Sequence, residues 1–125
     1  MIWSVLFHDE FETEFWGLEE DVRRNLLAAA KFLENDGPGT GRPYVDTLAG
    51  SKHVNMKELR FTAHDGREIW RALFAFDPGR AAIVLVAGDK QGHHQALFYK
   101  QLIKIADARF DSHLRQVKAE NIPKR

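Results

Sequence analysis

Arg60, Arg71 and Lys90 stand inside or at the end of three apolar runs in this 125-residue chain, and His93, His94, Tyr99 and Lys100 follow the last run. Cations are costly in strand interiors unless they face solvent, a partner or a substrate. Grouped together, these residue types suit metal-free cleavage of an RNA phosphodiester. One group must help to deprotonate the 2′-OH. Others must stabilise the extra negative charge of the phosphorane, and one must protonate the leaving 5′ oxygen. Arginine fits the second task, because its guanidinium stays charged and binds phosphate bidentately. Histidine, tyrosine or a lysine of depressed pKa fits the proton transfers.

Each residue also has a plain structural reading. Arg60 can pair with Glu58 on the same strand face, and Arg71 can pack its stem beside Trp70. Lys90 can be a solvated strand end and Tyr99 a rim residue. Taken singly, the structural reading is the stronger; the grouping near the ends and turns of one sheet points to a site. Other chemistries find no support. There is no cysteine, hence no disulfide framework, thiolate zinc site or catalytic thiol. No G-x-S-x-G elbow exists, and Gly50-Ser51-Lys52 lacks the glycines and strand of a phosphate loop. His93 and His94 are adjacent and cannot point into one site from a strand. His53, His64 and His113 are scattered and match no zinc or di-metal spacing, so neither metal nor cofactor is expected.

The elements that must position these residues follow from pattern. Asn55–Phe61, Glu68–Phe76 and Ala82–Lys90 are separated by turns at His64-Asp65-Gly66 and Asp77-Pro78-Gly79, which reads as a three-stranded antiparallel meander. Alternation puts Glu58 with Arg60 and Leu59 with Phe61 on opposite faces. Ahead of the meander, Ile2–His8 reads as a strand. Asp9 is the expected N-cap of a helix carrying Phe11, Phe15 and Trp16. After Gly17 a longer helix runs from about Glu19 to Asn35, with Val22, Leu26, Leu27, Ala30 and Leu33 inward, and stops at Asp36-Gly37-Pro38. Residues Gly37 to Lys52 read as a loop. A last helix spans Leu97 to about Leu114 on Leu97, Leu102, Ile105, Ala106 and Phe110, and the tail from about 116, with Pro123, Lys124 and Arg125, is expected to fray.

Length makes residues 1–125 one domain. The formal net charge is zero, yet residues 1–36 carry nine acidic and three basic side chains. The split permits a polyanion partner on the basic remainder, or two solvated faces that partly pair with each other. No run approaches the ~20 apolar residues that span a bilayer. The first residues lack the basic flank of a signal peptide, so no membrane association is expected.

At the meander the chain resembles the RelE/ParE superfamily of bacterial type II toxins, and within it the HigB-like, phage-derived branch. The resemblance rests on Leu48-x-Gly50-Ser51-Lys52, Met56-Lys57-Glu58-Leu59-Arg60-Phe61, Trp70 to Pro78, Gly88-Asp89-Lys90 and Phe98-Tyr99. It covers most of residues 2–115. It implies an α+β, RelE-like fold: a small antiparallel sheet (N-terminal strand plus meander), an N-terminal helical hairpin on one face, and a C-terminal helix. It implies a ribosome-dependent endoribonuclease of the bacterial cytoplasm that cuts mRNA in the A site. A cognate antitoxin with a helix-turn-helix domain would neutralise it. Carried over, Arg71 matches a phosphate-stabilising arginine and Lys90 the basic residue after the last strand. Tyr99, or Phe98 beside it, lies near an acid–base tyrosine. Arg60, Lys57 and Lys52 would bind substrate. Ribonuclease members often carry lysine immediately before the Leu-Arg pair, where this chain has Glu58. Lys57 would point to the other face of a regular strand. The general base is therefore open, with His93 and His94 as further candidates. The Glu58 departure and the neutral charge favour a second reading, a ParE-like toxin that contacts DNA gyrase without ribonuclease chemistry. A third is a degenerate toxin acting only in its antitoxin complex.

Overall fold

The computed structural model describes residues 2–120. The chain runs β1 (Ser4–Phe7), α1 (Asp9–Trp16), α2 (Glu20–Asp36), a 3-10 turn (Gly37–Gly39), β2 (Val45–Thr47), β3 (Lys57–Ala63), β4 (Glu68–Phe76), β5 (Ala81–Asp89) and α3 (Gln95–Glu120). The strands form one sheet in the order β1-β5-β4-β3-β2.

Strand alternation sorts the two faces. Leu59, Phe61 and Ala63 of β3 join Trp70, Ala72 and Phe74 of β4 under the α1–α2 hairpin, whose Phe11, Phe15, Val22, Leu26, Ala30 and Leu33 are buried against them. Leu73, Ala75, Ile83 and Leu85 instead pack under Phe98, Leu102, Ala106 and Phe110 of α3. The sheet is thus covered on both faces, which is why β5 is apolar along most of its length.

The meander and the helical hairpin form as the pattern predicts. The sheet is mixed, however: β1 pairs parallel with β5, while β2–β3, β3–β4 and β4–β5 are antiparallel. The hairpin carries the chain over one face from the β1 edge to the β2 edge, so β1 is left beside the last strand of the meander. Val45–Thr47, expected within a loop, adds the short edge strand β2.

The helices differ in detail. His8, not Asp9, caps α1: its Nδ1 accepts from the Glu10 N–H at 3.2 Å. Trp16 and Leu27 are exposed, and Ala29 takes the inward place expected of Leu27. In α3 the buried stripe is Phe98, Leu102, Ala106 and Phe110 with Ile103, while Leu97 and Ile105 are exposed. Strict i+4 spacing beside the sheet outweighs side-chain size there. The helix continues past 116 to Glu120. Pro123, Lys124 and Arg125 lie outside the described residues. At Gly37, φ is +56° and a Cβ would lie 2.3 Å from Trp3 Nε1, so the α2 stop needs glycine.

One irregularity sets the geometry of β5. Leu73 pairs with Val86 but Phe74 pairs with Val84, so Leu85 is an extra residue in the ladder. Its carbonyl accepts from Arg109 Nη1 at 2.8 Å. The same guanidinium grips Glu14 of α1 through Nη1 (2.8 Å) and Nη2 (2.6 Å). Beyond this bulge Gly88 pairs with Arg71, and the end of β5 is in phase with the α3 face.

Candidate active site

The β3–β4 hairpin places Arg60 directly opposite Arg71. Like charges facing each other across a ladder repel, and an anion between them is required. Glu58 supplies it. Its Oε1 is 3.2 Å from Arg60 Nε and 3.8 Å from Arg71 Nε. Glu58 and Arg71 are only 4% and 7% exposed, so their charges are screened little by solvent.

Helix α3 completes the cluster. Arg71 Nε donates to the Tyr99 hydroxyl at 3.3 Å, and Nη1 donates to the Trp70 carbonyl at 2.9 Å. The close approach of α3 depends on Gly88, where a Cβ would sit 3.1 Å from Phe98 and 3.4 Å from Leu102. Burial first, then the Glu58 carboxylate, raises the Tyr99 pKa above its usual value, against the opposing pull of Arg71. Tyr99 is therefore a protonated phenol at neutral pH. Lys90 ends β5, and its main-chain N–H donates to Ile69 O at 2.8 Å. Its pKa is lowered, chiefly by burial and next by Arg71. Among the described residues, Glu58 Oε2 is buried and takes part in no well-formed hydrogen bond.

Arg60 and Arg71 line a shallow groove of about 360 Å³ whose far wall includes Tyr44 and Pro43. Tyr99, Lys100 and Lys104 line a second groove, of about 490 Å³, toward Gly50 and Asp107. The Arg71–Tyr99 contact lies between them.

The structure thus brings Arg60, Arg71, Lys90 and Tyr99 together. His93 and His94 lie exposed on the turn before α3, with the His93 N–H on Lys90 O at 3.2 Å. Lys57 pairs with Phe74 on the opposite, α2 face, and its Nζ donates to Thr47 Oγ1 at 3.2 Å. Lys52 is held away from the cluster by an ion pair with Asp111 of α3. Its loop is pinned there by Ser51 Oγ donating to Asp107 Oδ1 at 2.5 Å. Glu58 is the residue that sequence reasoning placed as a departure and not at the centre. Its signal was present: an acid on the strand face that it shares with Met56 and Arg60.

Residues 13–111 match the model of the phage-derived Gp49-like protein family (DUF891). The chain belongs to the Gp49-like family. Two Mycobacterium tuberculosis (strain ATCC 25618 / H37Rv) proteins named as toxins are similar to it. HigB2 is 47% identical over 109 residues, 87% of this chain and 53% of its own length. HigB3 is 41% identical over 111 residues, 89% of this chain and 93% of its own. This Gp49-like chain therefore spans about half of HigB2 and nearly all of HigB3. Among solved structures, a mutant of the Escherichia coli toxin RelE in the free state superposes with a TM-score of 0.59 at 13% identity, covering 87% of this chain and 98% of that one. The archaeal RelE–RelB complex from Pyrococcus horikoshii OT3 gives 0.51 at 16% identity, covering 74% and 99%. The fold of this Gp49-like chain is RelE-like, and the resemblance to HigB proteins of the RelE superfamily is borne out.

Proposed function

We propose that this chain is the toxin of a type II toxin–antitoxin pair: a metal-independent endoribonuclease that cuts mRNA on the ribosome in the bacterial cytoplasm, held inactive by a helix-turn-helix antitoxin. The observation that carries the reading is the Glu58–Arg60–Arg71–Tyr99–Lys90 cluster at the edge of an open groove. Kinship with the HigB toxins supports it, as does the shared fold of the RelE–RelB complex.

Each residue then has a task. Arg60 and Arg71 bind the scissile phosphate and stabilise the phosphorane. A substrate phosphate competes with Glu58 for the two guanidiniums. The freed carboxylate, whose Oε2 makes no well-formed hydrogen bond among the described residues, accepts the 2′-OH proton. The 2′ oxygen attacks phosphorus, the P–O5′ bond breaks, and a 2′,3′-cyclic phosphate and a 5′-OH result. Lys90, with its depressed pKa, gives the proton to O5′. Tyr99 orients Arg71 and donates its phenolic hydrogen to a phosphate oxygen. His93 and His94 on the adjoining turn are a second source of the proton that O5′ takes once mRNA is bound.

One observation favours a different reading. Glu58 already offsets one of the two arginine charges, so the surface offers less free positive charge than an RNA groove usually does. A ParE-like toxin that contacts DNA gyrase, or a partner that acts only in an antitoxin complex, would tolerate this. Induction of the chain in bacteria, with mapping of mRNA 5′ ends, separates the readings. Ribosome-phased cuts that disappear with Arg71→Ala and persist with Lys57→Ala support the ribonuclease. Growth arrest with intact mRNA and inhibited supercoiling supports the gyrase reading, and no growth effect supports the third.

A further inference from the structure

On the sheet face opposite the arginine cluster, the β3–β4 turn meets the start of α2. His64 opens that turn at φ 52°, and its N–H donates to Asp21 Oδ2 at 2.7 Å. The His64 Nε2 atom is buried and makes no hydrogen bond with the described residues. Yet Glu19 Oε2 lies 3.4 Å from it and Glu68 Oε1 lies 3.7 Å from it. Both separations exceed the 2.7–3.2 Å of an ordinary N–H···O bond. They suit donors that share a metal ion: at bond lengths of about 2.0–2.1 Å and tetrahedral angles, neighbouring ligand atoms are about 3.4 Å apart. One donor atom from each of the three residues falls within 4.8 Å of the other two. Glu68 is oriented by the Trp70 indole N–H, which donates to its Oε1 at 2.9 Å, as outer hydrogen bonds orient metal-binding carboxylates. The Glu19 side chain is 73% exposed, so it can close the last gap and leaves a coordination position open to water.

We propose that Glu19, His64 and Glu68 bind one divalent first-row metal ion, with zinc as the reference, and so tie the start of α2 to the β3–β4 turn. One imidazole and two carboxylates are a donor set such ions accept. His64 and Glu68 stand four positions apart across the β3–β4 turn and Glu19 lies 45 positions earlier, which is why no sequence spacing revealed the set. The site lies across the sheet from the phosphate cluster and takes no part in the reaction proposed for it.

The full chain, stripped with a chelator, is titrated with zinc chloride by calorimetry and by thermal melts. One ion per chain should bind, and the melting temperature should rise with free zinc. Glu19→Gln alters an exposed side chain and should weaken binding on the order of ten-fold or more. His64→Asn keeps a residue tolerant of positive φ and should do the same. With cobalt in place of zinc, the visible absorption of the wild type should vanish in both variants. Absence of saturable zinc binding overturns the site, and so does unchanged affinity in Glu19→Gln, which decides the matter even if His64→Asn folds poorly.

Discussion

Arg60 and Arg71 face each other across the β3–β4 ladder, and one oxygen of Glu58 lies 3.2 Å and 3.8 Å from their Nε atoms. The carboxylate is what allows two guanidiniums to occupy directly opposed positions beside an apolar core. The protein therefore holds its two opposed arginines in place with an anion of its own.

Removing that anion should be costly. Glu58→Ala leaves two cations without their partner, one of them buried, and breaking a buried pair costs about 3–5 kcal/mol. Urea unfolding of Glu58→Ala should show a loss of that order. Glu58→Gln keeps the volume and should lose less stability while losing RNA cleavage. Full cleavage by Glu58→Gln would remove Glu58 from the proton-acceptor role.

Gly88→Ala tests the approach of α3. The added methyl meets Phe98 at 3.1 Å, and overpacking of this kind costs about 1–3 kcal/mol. The first turn of α3 should move outward and take Tyr99 away from Arg71. A fall in cleavage larger than that of Tyr99→Phe, in protein that still melts cooperatively, is the expected result.

Lys90 should leave its mark on the alkaline side of the pH–rate profile. Burial and Arg71 lower its pKa from 10.5, so a Lys90 acting as general acid loses its proton, and the rate falls, below that ordinary value. Lys90→Ala should abolish the alkaline limb together with most of the rate. A limb that survives in the variant would assign it to another group.

Arg109 joins α1, the β5 bulge and α3. Arg109→Ala strands the Leu85 carbonyl, and an unsatisfied buried acceptor costs about 1–3 kcal/mol. The Glu14 half of the clamp contributes less, because Glu14 is 48% exposed. Its sign is nevertheless measurable. The hydrogen bond from Arg109 lowers the folded-state pKa of Glu14 below 4.5. Its contribution is therefore present above that value and is lost as pH falls through the folded pKa. Chemical unfolding across this acid range should show a shallower decline for Glu14→Gln than for the wild type.

Much of this architecture was legible because it is local. The turns at His64-Asp65-Gly66 and Asp77-Pro78-Gly79 delimit the meander, and alternation alone puts Lys57 opposite Glu58 and Arg60. What escaped depends on partners distant in the chain. The parallel pairing of β1 needs the position of β5, and the inward face of α3 is decided by a sheet that selects Phe98 over Leu97. Glu58 read as a departure from a familiar pattern because its meaning lies in Arg71, thirteen positions along the chain and one strand across. Glu19, His64 and Glu68 meet only once the hairpin folds back on α2.

The extra residue at Leu85 bears on which length changes β5 can absorb. Ladder partners on either side of it are already aligned, so deleting Leu85 would leave Gly88 opposite Arg71 and Lys90 on the α3 face, at the expense of the carbonyl that Arg109 holds. Deleting Ala87, two positions later, would restore the same register once the bulge closes, with Leu85 opposite Leu73, Val86 opposite Ala72 and Gly88 still opposite Arg71. Two single-codon deletions six nucleotides apart would thus converge on one regular ladder with Lys90 on the α3 face, each at the expense of the bulge that Arg109 holds.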